Sequence, residues 1–357
     1  MKIGILKEDQ DRRVSLTPDT LAKNAQLVAQ YLLEKDAGQS AGYADAAYGD
    51  TVSVHDRATI LREADLIVSI HPPNEADLAQ IKPQTVLVSL FQPYFDQEVS
   101  DRLRQRTLRA FSLDMIPRTT LAQAMDVLSS MASVSGYQAV LMAANHLPRY
   151  FPMMITAAGS IRPAKVLVLG AGVAGLQAIA TAKRLGAMVE AFDVRKAAKE
   201  EVESLGAKFV EVAGARDDAG AGGYAVDQSE EFLQRQQQEV QNRATKSDVI
   251  IATAQIRGRK APILVRKESI AQMKPGSVIV DLAASTGGNC ELTEDQKIIE
   301  RHGVTIIGNS NLAETMPQDA SSLFSNNLMN FLRLLIVEGE LQLDLDNEII
   351  AGSYITP

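Results

Sequence analysis

Cysteine is almost absent. Cys290 is the single thiol in 357 residues, so the chain holds no internal disulfide and suits a reducing compartment. Histidine is scarce too. His55, His146 and His302 are scattered without ligand spacing, and no Ser-His-Asp arrangement is visible, so no metal and no triad chemistry is expected. Positive charge is short: 36 Lys and Arg stand against 44 Asp and Glu, a formal net charge of −8. Such a chain repels phosphate backbones, which argues against nucleic-acid binding. Long apolar runs are missing with one exception, Val166–Ala182. That run is about 17 residues long between Lys165 and Lys183, shorter than the roughly 20 residues of a membrane span. It also divides into a strand, a glycine turn and a helix start. The N-terminus, MKIGILKED, begins like a strand and not like a signal peptide. A soluble protein without direct membrane insertion is expected.

What is present is a globular composition, 46% hydrophobic and 22% charged, over a length that suits two domains. In the first part, short apolar runs at Lys2–Ile5, Leu66–Ile70, Val86–Leu90 and Arg109–Leu113 read as strands. Thr17 and Pro18 read as a cap and first position of a helix reaching about Leu33. From Lys165 the βα rhythm is clear, with strands at Lys165–Leu169, Met188–Phe192, Lys208–Val212, Asp248–Ala252, Val278–Asp281 and Thr305–Ile307. This predicts an α/β chain with a doubly wound parallel sheet in its second domain. The glycine-rich stretch near residues 214–227 reads as a mobile loop, followed by a Gln/Glu-rich helix to about Arg243. An apolar helix, Leu323–Val337, and a strand-rich tail are expected to pack back on the first domain. The expected domains are therefore residues 1–128 with 322–357, and residues 129–321.

Gly170, Gly172 and Gly175 form a GxGxxG between a buried strand and a helix. Gly170 permits the tight turn, Gly172 leaves room for a pyrophosphate, and Gly175 lets helix and strand pack closely. The helix N-terminus offers unpaired N–H groups to the phosphates. Asp193 follows Gly175 by 18 residues at the end of the next strand, where its carboxylate suits the adenosine ribose hydroxyls of NAD. Arg195, two residues on, is a residue type that accommodates the additional phosphate of NADP.

A second cluster lies where the first domain hands over to the second. Gln123, Asp126 and Ser129 are three apart and share one helical face, with Arg118 just before them. Read from the residues alone, this is a polar helix start, where Asp and Ser serve as caps. Its place at a domain boundary, where ligand clefts form, makes it also a binding candidate.

The segment PRTTLAQAMDVLSSMASVSGYQAV resembles the Arg-Gln-Asp loop in domain I of proton-translocating NAD(P) transhydrogenase. The likeness continues through FPMMITAAGSIRPAKVLVLGAGVAGLQAIATAKRLGAMVEAFDVR, AGGYA and MKPGSVIVDLAASTGGNC, and covers nearly the whole chain. It implies two Rossmann-like domains, with NAD(H) bound in the cleft between them. It implies direct, Re/Si-specific hydride transfer to or from NADP(H) held on a partner domain, not on this chain. It assigns Arg118, Gln123, Asp126 and Ser129 to the nicotinamide and its ribose, and Tyr224 with Gly223 to a loop that closes over the nucleotide. It assigns Gly170, Ala171, Gly172, Val173 and Gly175 to the pyrophosphate, Asp193 to the ribose, Val194 and Arg195 to the adenine end, and Gln255 to a further nucleotide contact. It also implies a homodimer docked on a membrane-spanning transhydrogenase subunit. The chain would be a separate subunit, cytoplasmic and peripheral at the inner face of the membrane. Proton translocation would belong to the membrane partner.

Leu121 stands where the family commonly has a basic residue. Ile256–Pro262 is more basic than the family's usual turn, and Asn311–Ser321 lacks an expected arginine. Two other readings remain. Alanine dehydrogenase shares the architecture, but carries a lysine where this chain has His71 and a histidine where it has Phe91; Arg13 matches an arginine of both families. A non-catalytic NAD-binding regulatory subunit is the other.

Overall fold

The computed structural model describes residues 1–27, 30–212 and 230–356. Tyr224, Gly223 and the rest of the glycine-rich stretch at 214–227 lie outside the described residues. The chain forms two compact units, Met1–Met131 with Ala313–Pro357, and Ala132–Leu312.

The first unit is built on six strands, β1 (Lys2–Ile5), β2 (Gln30–Glu34), β3 (Val52–His55), β4 (Leu66–Val68), β5 (Val86–Ser89) and β6 (Arg109–Ser112). All pair in parallel, in the order β3-β2-β1-β4-β5-β6. Short helices α1 (Pro18–Ala22), α2 (Arg57–Glu63), α3 (Glu75–Leu78) and α4 (Val99–Gln105) lie between them. The helix expected to reach Leu33 stops at Ala22, and its distal part is β2 instead. Tyr31, Leu32 and Leu33 are all fully buried. Three consecutive buried residues mark a strand covered on both faces, and a short apolar run does not reveal its period.

After β6 comes a 3-10 turn, Thr120–Met125, and then α5 (Val127–His146). By length and composition alone, α5 is long and apolar enough to cross a membrane, one such helix among the described residues, which the sequence reading does not single out. Its Ala139, Val140 and Ala143 belong to the core of the second unit.

After α5 comes an antiparallel hairpin, β7 (Met154–Thr156) and β8 (Gly159–Ile161). Then follow β9 (Lys165–Leu169), α6 (Val173–Arg184), β10 (Met188–Phe192), α7 (Ala198–Ser204), β11 (Lys208–Phe209), α8 (Glu230–Ala244), β12 (Val249–Ala252) and α9 (Lys267–Ile270). The sheet is completed by β13 (Val278–Asp281), β14 (Lys297–Arg301) and β15 (Val304–Gly308). Its order is β11-β10-β9-β12-β13-β15-β14, doubly wound about β9, with only β14 antiparallel. The run Val166–Ala182 is thus strand, turn and helix, as its sequence suggests. The edge strand β14 has no counterpart among the expected strands because it carries no buried face: Lys297, Ile298, Glu300 and Arg301 are all exposed.

The chain then returns to the first unit with α10 (Pro317–Leu335), whose Phe324, Leu328, Phe331, Leu332 and Leu335 are fully buried in its core. The tail is less strand-rich than expected. A two-residue pair, Ile336–Val337 with Glu340–Leu341, precedes α11 (Glu348–Ser353). Tyr354 then stacks on Phe111 of β6 with ring centroids 5.0 Å apart, and Ile355 N–H donates to Ala110 O at 2.9 Å.

Candidate functional site

In the first unit, the loop after β6 and the 3-10 turn enclose a cavity of about 460 Å³ lined by Arg118, Thr119, Gln123, Asp126 and Ser129, among others. All four candidate residues of the Arg-Gln-Asp loop therefore face one space. Asp126 has the capping role that its residue type suggests. It is the N-cap of α5, its Oδ1 accepting Ser129 N–H at 2.9 Å and its Oδ2 accepting the Ser129 hydroxyl at 2.6 Å. Arg118 and Gln123 differ: their side chains make no hydrogen bond or ion pair among the described residues, which leaves a cation and an amide to meet a ligand. Leu121 is 78% exposed.

In the second unit, β9 ends in the glycine turn. Gly170 has φ +97°, which a side chain would strain. A β-carbon on Gly175 would stand 1.8 Å from Gly170 O, so the helix start lies against the turn. A β-carbon on Gly172 would meet nothing within 4 Å among the described residues. The turn is thus closed on the protein side at Gly175 and open at Gly172, before the first turn of a 12-residue helix. An open backbone face at a helix N-terminus fits a dinucleotide pyrophosphate. Val173 and Val194 are about half exposed at 43% and 50%, and Ala171 is buried.

Asp193 sits beside this turn, but its acceptors are engaged. Oδ2 accepts Ala171 N–H at 2.7 Å and Arg195 Nη2 at 3.0 Å; Oδ1 accepts Arg195 N–H at 2.8 Å and Nε at 3.0 Å. Gln255 donates to Leu282 O at 2.7 Å, so its amide nitrogen is tied to the protein, while its Oε1 accepts no hydrogen bond among the described residues. Two residues that sequence reasoning missed act as braces, Thr253 on the glycine turn and Asn289 on the loop after β12. Thr253 Oγ1 donates toward Leu169 O and Gly170 O at 3.2 and 3.1 Å. Asn289, fully buried, accepts Ala254 N–H at 2.9 Å and donates to Ala254 O and Pro262 O at 2.8 and 2.9 Å. A single asparagine in GGNC gives no sign of burial, so only the fold identifies this brace.

Both halves of the chain match family models. Residues 4–135 match the N-terminal domain of alanine dehydrogenase/PNT, and residues 139–357 match its C-terminal domain. The chain belongs to the alanine dehydrogenase/PNT family. It is 42% identical over 374 residues to an NAD(P) transhydrogenase subunit alpha polypeptide of Rhodospirillum rubrum, covering 100% of this chain and 96% of that one. The crystal structure of transhydrogenase from Sinorhizobium meliloti superimposes with a TM-score of 0.91 at 38% identity, covering 100% and 98%. The alanine dehydrogenase of Mycolicibacterium smegmatis is more distant, 25% identical over 352 residues and covering 95% and 88%.

The positions of His71, Arg13 and Phe91 have a definite environment. His71, after β4, places Nε2 3.0 Å from Asp11 Oδ2. Arg13 is spent on the same carboxylate through Nε at 3.0 Å and through Nη2, and its Nη1 lies 3.0 Å from Met131 Sδ. Glu8 pins the loop, accepting Ile70 N–H at 2.6 Å and His71 N–H at 3.1 Å. Burial pushes the Glu8 carboxyl up to about 7. The hydrogen bond to Asp11 raises the His71 imidazole. Burial works against the Asp11 carboxylate, but hydrogen bonds from His71 and Arg13 outweigh it and hold this group well below its ordinary range. Phe91 is buried and offers no proton.

Proposed function

We propose that this chain is the NAD(H)-binding subunit of a proton-translocating NAD(P) transhydrogenase. Its reaction is direct, Re/Si-specific hydride transfer between NAD(H) on this chain and NADP(H) on a partner domain. What carries the reading is the full-length likeness to transhydrogenase subunits; the open backbone at Gly172 and the uncommitted side chains of Arg118 and Gln123 support it.

Bound NAD(H) supplies or accepts the hydride, and this chain's residues do the holding. The N–H groups at the start of α6 face the pyrophosphate across Gly172, flanked by Ala171 and Val173. Asp193 takes a ribose hydroxyl by giving up one Arg195 N–H, since all its acceptor positions are otherwise filled. Val194 and Arg195 border the adenine, and Gln255 offers Oε1 to the nucleotide. Arg118 and Gln123 orient the nicotinamide by hydrogen bonds, with Asp126 and Ser129 behind them. Tyr224 and Gly223 close over the site; their role rests on the resemblance. No general acid or base is required, because a hydride moving between two rings needs alignment at roughly 3–3.5 Å rather than proton transfer.

The alanine dehydrogenase reading is disfavoured by the lower identity to those enzymes, 25% against 42%, and by His71 and Phe91 standing where that family carries a lysine and a histidine. The working form is a homodimer docked on a membrane-spanning subunit and its NADP(H) domain, at the cytoplasmic face of the membrane. Exposed apolar side chains on the hairpin segment, Met153 at 61% and Ile155 at 75%, support self-association.

The test is single-turnover absorbance. The chain is mixed with an NADPH-loaded transhydrogenase NADP(H) domain and an NAD analogue whose reduced form absorbs at a distinct wavelength. Fast analogue reduction that requires this chain supports the reading. Tight NADH binding without transfer replaces it with a regulatory, non-catalytic role.

A further inference from the structure

Ala124 lies in the 3-10 turn directly after Gln123, and its carbonyl oxygen accepts two side-chain amides from α10. Asn327 Nδ2 reaches it at 2.8 Å and Asn330 Nδ2 at 3.1 Å, across sequence separations of 203 and 206 residues. Positions i and i+3 share one helical face, which is how both amides converge on one atom. The turn itself is a short 3-10 helix of six residues, anchored below by Ala122 and Met125, which are buried in the core of the first unit. At Ala124 the turn is tied to α10 by these two amides.

Asn327 is out of character for its place. It is 9% exposed, next to Leu328 on a helix whose Phe324, Leu328 and Phe331 fill the core, and its Oδ1 has no hydrogen-bond partner among the described residues. A buried acceptor left unpaired is a net cost that an apolar side chain of similar shape avoids. Core packing alone therefore favours leucine. The bond to Ala124 is the compensating feature, and it acts on the segment that carries Gln123 and Asp126.

We propose that Asn327 and Asn330 are positioning residues for the nicotinamide end of the site, a claim that rests on the function proposed above. They fix the Ala124 carbonyl, and with it the direction of the Gln123 side chain and the entry of the chain into Asp126 and α5. Neither touches nucleotide. Without them the turn still binds the ring but holds it less often in the pose that transfers hydride, so reactivity falls more than affinity.

The decisive variants are Asn327→Leu, Asn330→Leu and the double change. Each is measured for melting temperature, NADH affinity, single-turnover hydride transfer to the partner domain, and amide hydrogen exchange over residues 118–126 without nucleotide. For Asn327→Leu we expect a melting temperature equal to or above that of the parent and an NADH affinity within about threefold. We expect transfer slowed by about tenfold or more and faster exchange over 118–126. The double variant exceeds either single one. Equal losses in transfer and affinity overturn the proposal, as does unchanged transfer in the double variant. A lower melting temperature with unchanged exchange over 118–126 also overturns it, because that outcome marks a merely structural role. If the parent chain transfers no hydride at all, the proposed function fails on its own. Exchange over 118–126 then decides whether the asparagines hold the turn.

Discussion

The carboxylate of Asp193 accepts the main-chain N–H of Ala171 at 2.7 Å, so the acid that follows β10 holds the turn that follows β9. Asp193 is thus a structural anchor of the glycine turn as well as the candidate ribose ligand. Asp193→Ser removes both. We expect NADH affinity about tenfold weaker, a loss of about 1.4 kcal/mol, a narrower preference over NADPH, and a lower melting temperature. Calorimetric titration with both nucleotides checks this. Unchanged affinity for both would remove Asp193 from the site.

Gly172 and Gly175 make a contrasting pair. Gly172→Ala places a methyl where none of the described residues lies within 4 Å, so stability should stay within about 0.5 kcal/mol. NADH binding should nevertheless collapse, because the methyl fills the approach to the backbone. Gly175→Ala drives a β-carbon to 1.8 Å from a carbonyl oxygen. Relieving that overlap should cost about 3 kcal/mol and lower the melting temperature by on the order of 10 °C. Thermal melts beside NADH titrations separate the two. If Gly172→Ala binds NADH normally, the pyrophosphate does not pass over this turn.

Gln123→Asn shortens an amide that faces the cavity without an internal partner among the described residues. Hydride transfer should slow by about tenfold or more while NADH affinity changes little, the signature of lost alignment. Equal losses in the two would assign Gln123 to binding alone.

Stability should depend on pH through Glu8 and His71. The Glu8 carboxyl is raised from 4.5 to about 7 by burial. Between those values the folded chain holds a proton that the unfolded chain has released, so stability falls as pH rises through that window. His71, raised by its bond to Asp11, contributes stability that is complete below 6.5 and lost as pH passes its folded value. Both act in the same direction. The urea midpoint should therefore fall from pH 5.5 to 8.5, and His71→Ala should flatten the decline. A flat or rising profile in the parent chain rejects this account of the cluster.

The α/β rhythm of the second unit is legible in the sequence because β9, β10, β12 and β13 are short apolar runs between clear breakers. The glycine turn is legible because each glycine has a separate steric reason. The first unit is harder. β2 looks helical because Tyr31, Leu32 and Leu33 are buried on both faces and show no alternation. The site is legible as residue types but not as geometry. Asp126 and Ser129 bond to each other, Asp193 is occupied by Arg195, and the braces Thr253, Asn289, Asn327 and Asn330 act over distances in sequence that no local pattern records. Polar side chains that act on a remote backbone atom leave no periodic trace.

The returning helix also sets an order of events during synthesis. The residues that hold Ala124 follow it by 203 and 206 positions. At translation rates of about 5–20 residues per second, roughly 10–40 s separate the emergence of the turn from that of its anchors. The second unit, complete at Leu312, leaves the ribosome before the first unit has its last core helix. The later part of the chain is thus free to fold before the earlier part can finish, and the segment carrying Gln123 is among the last of the molecule to settle.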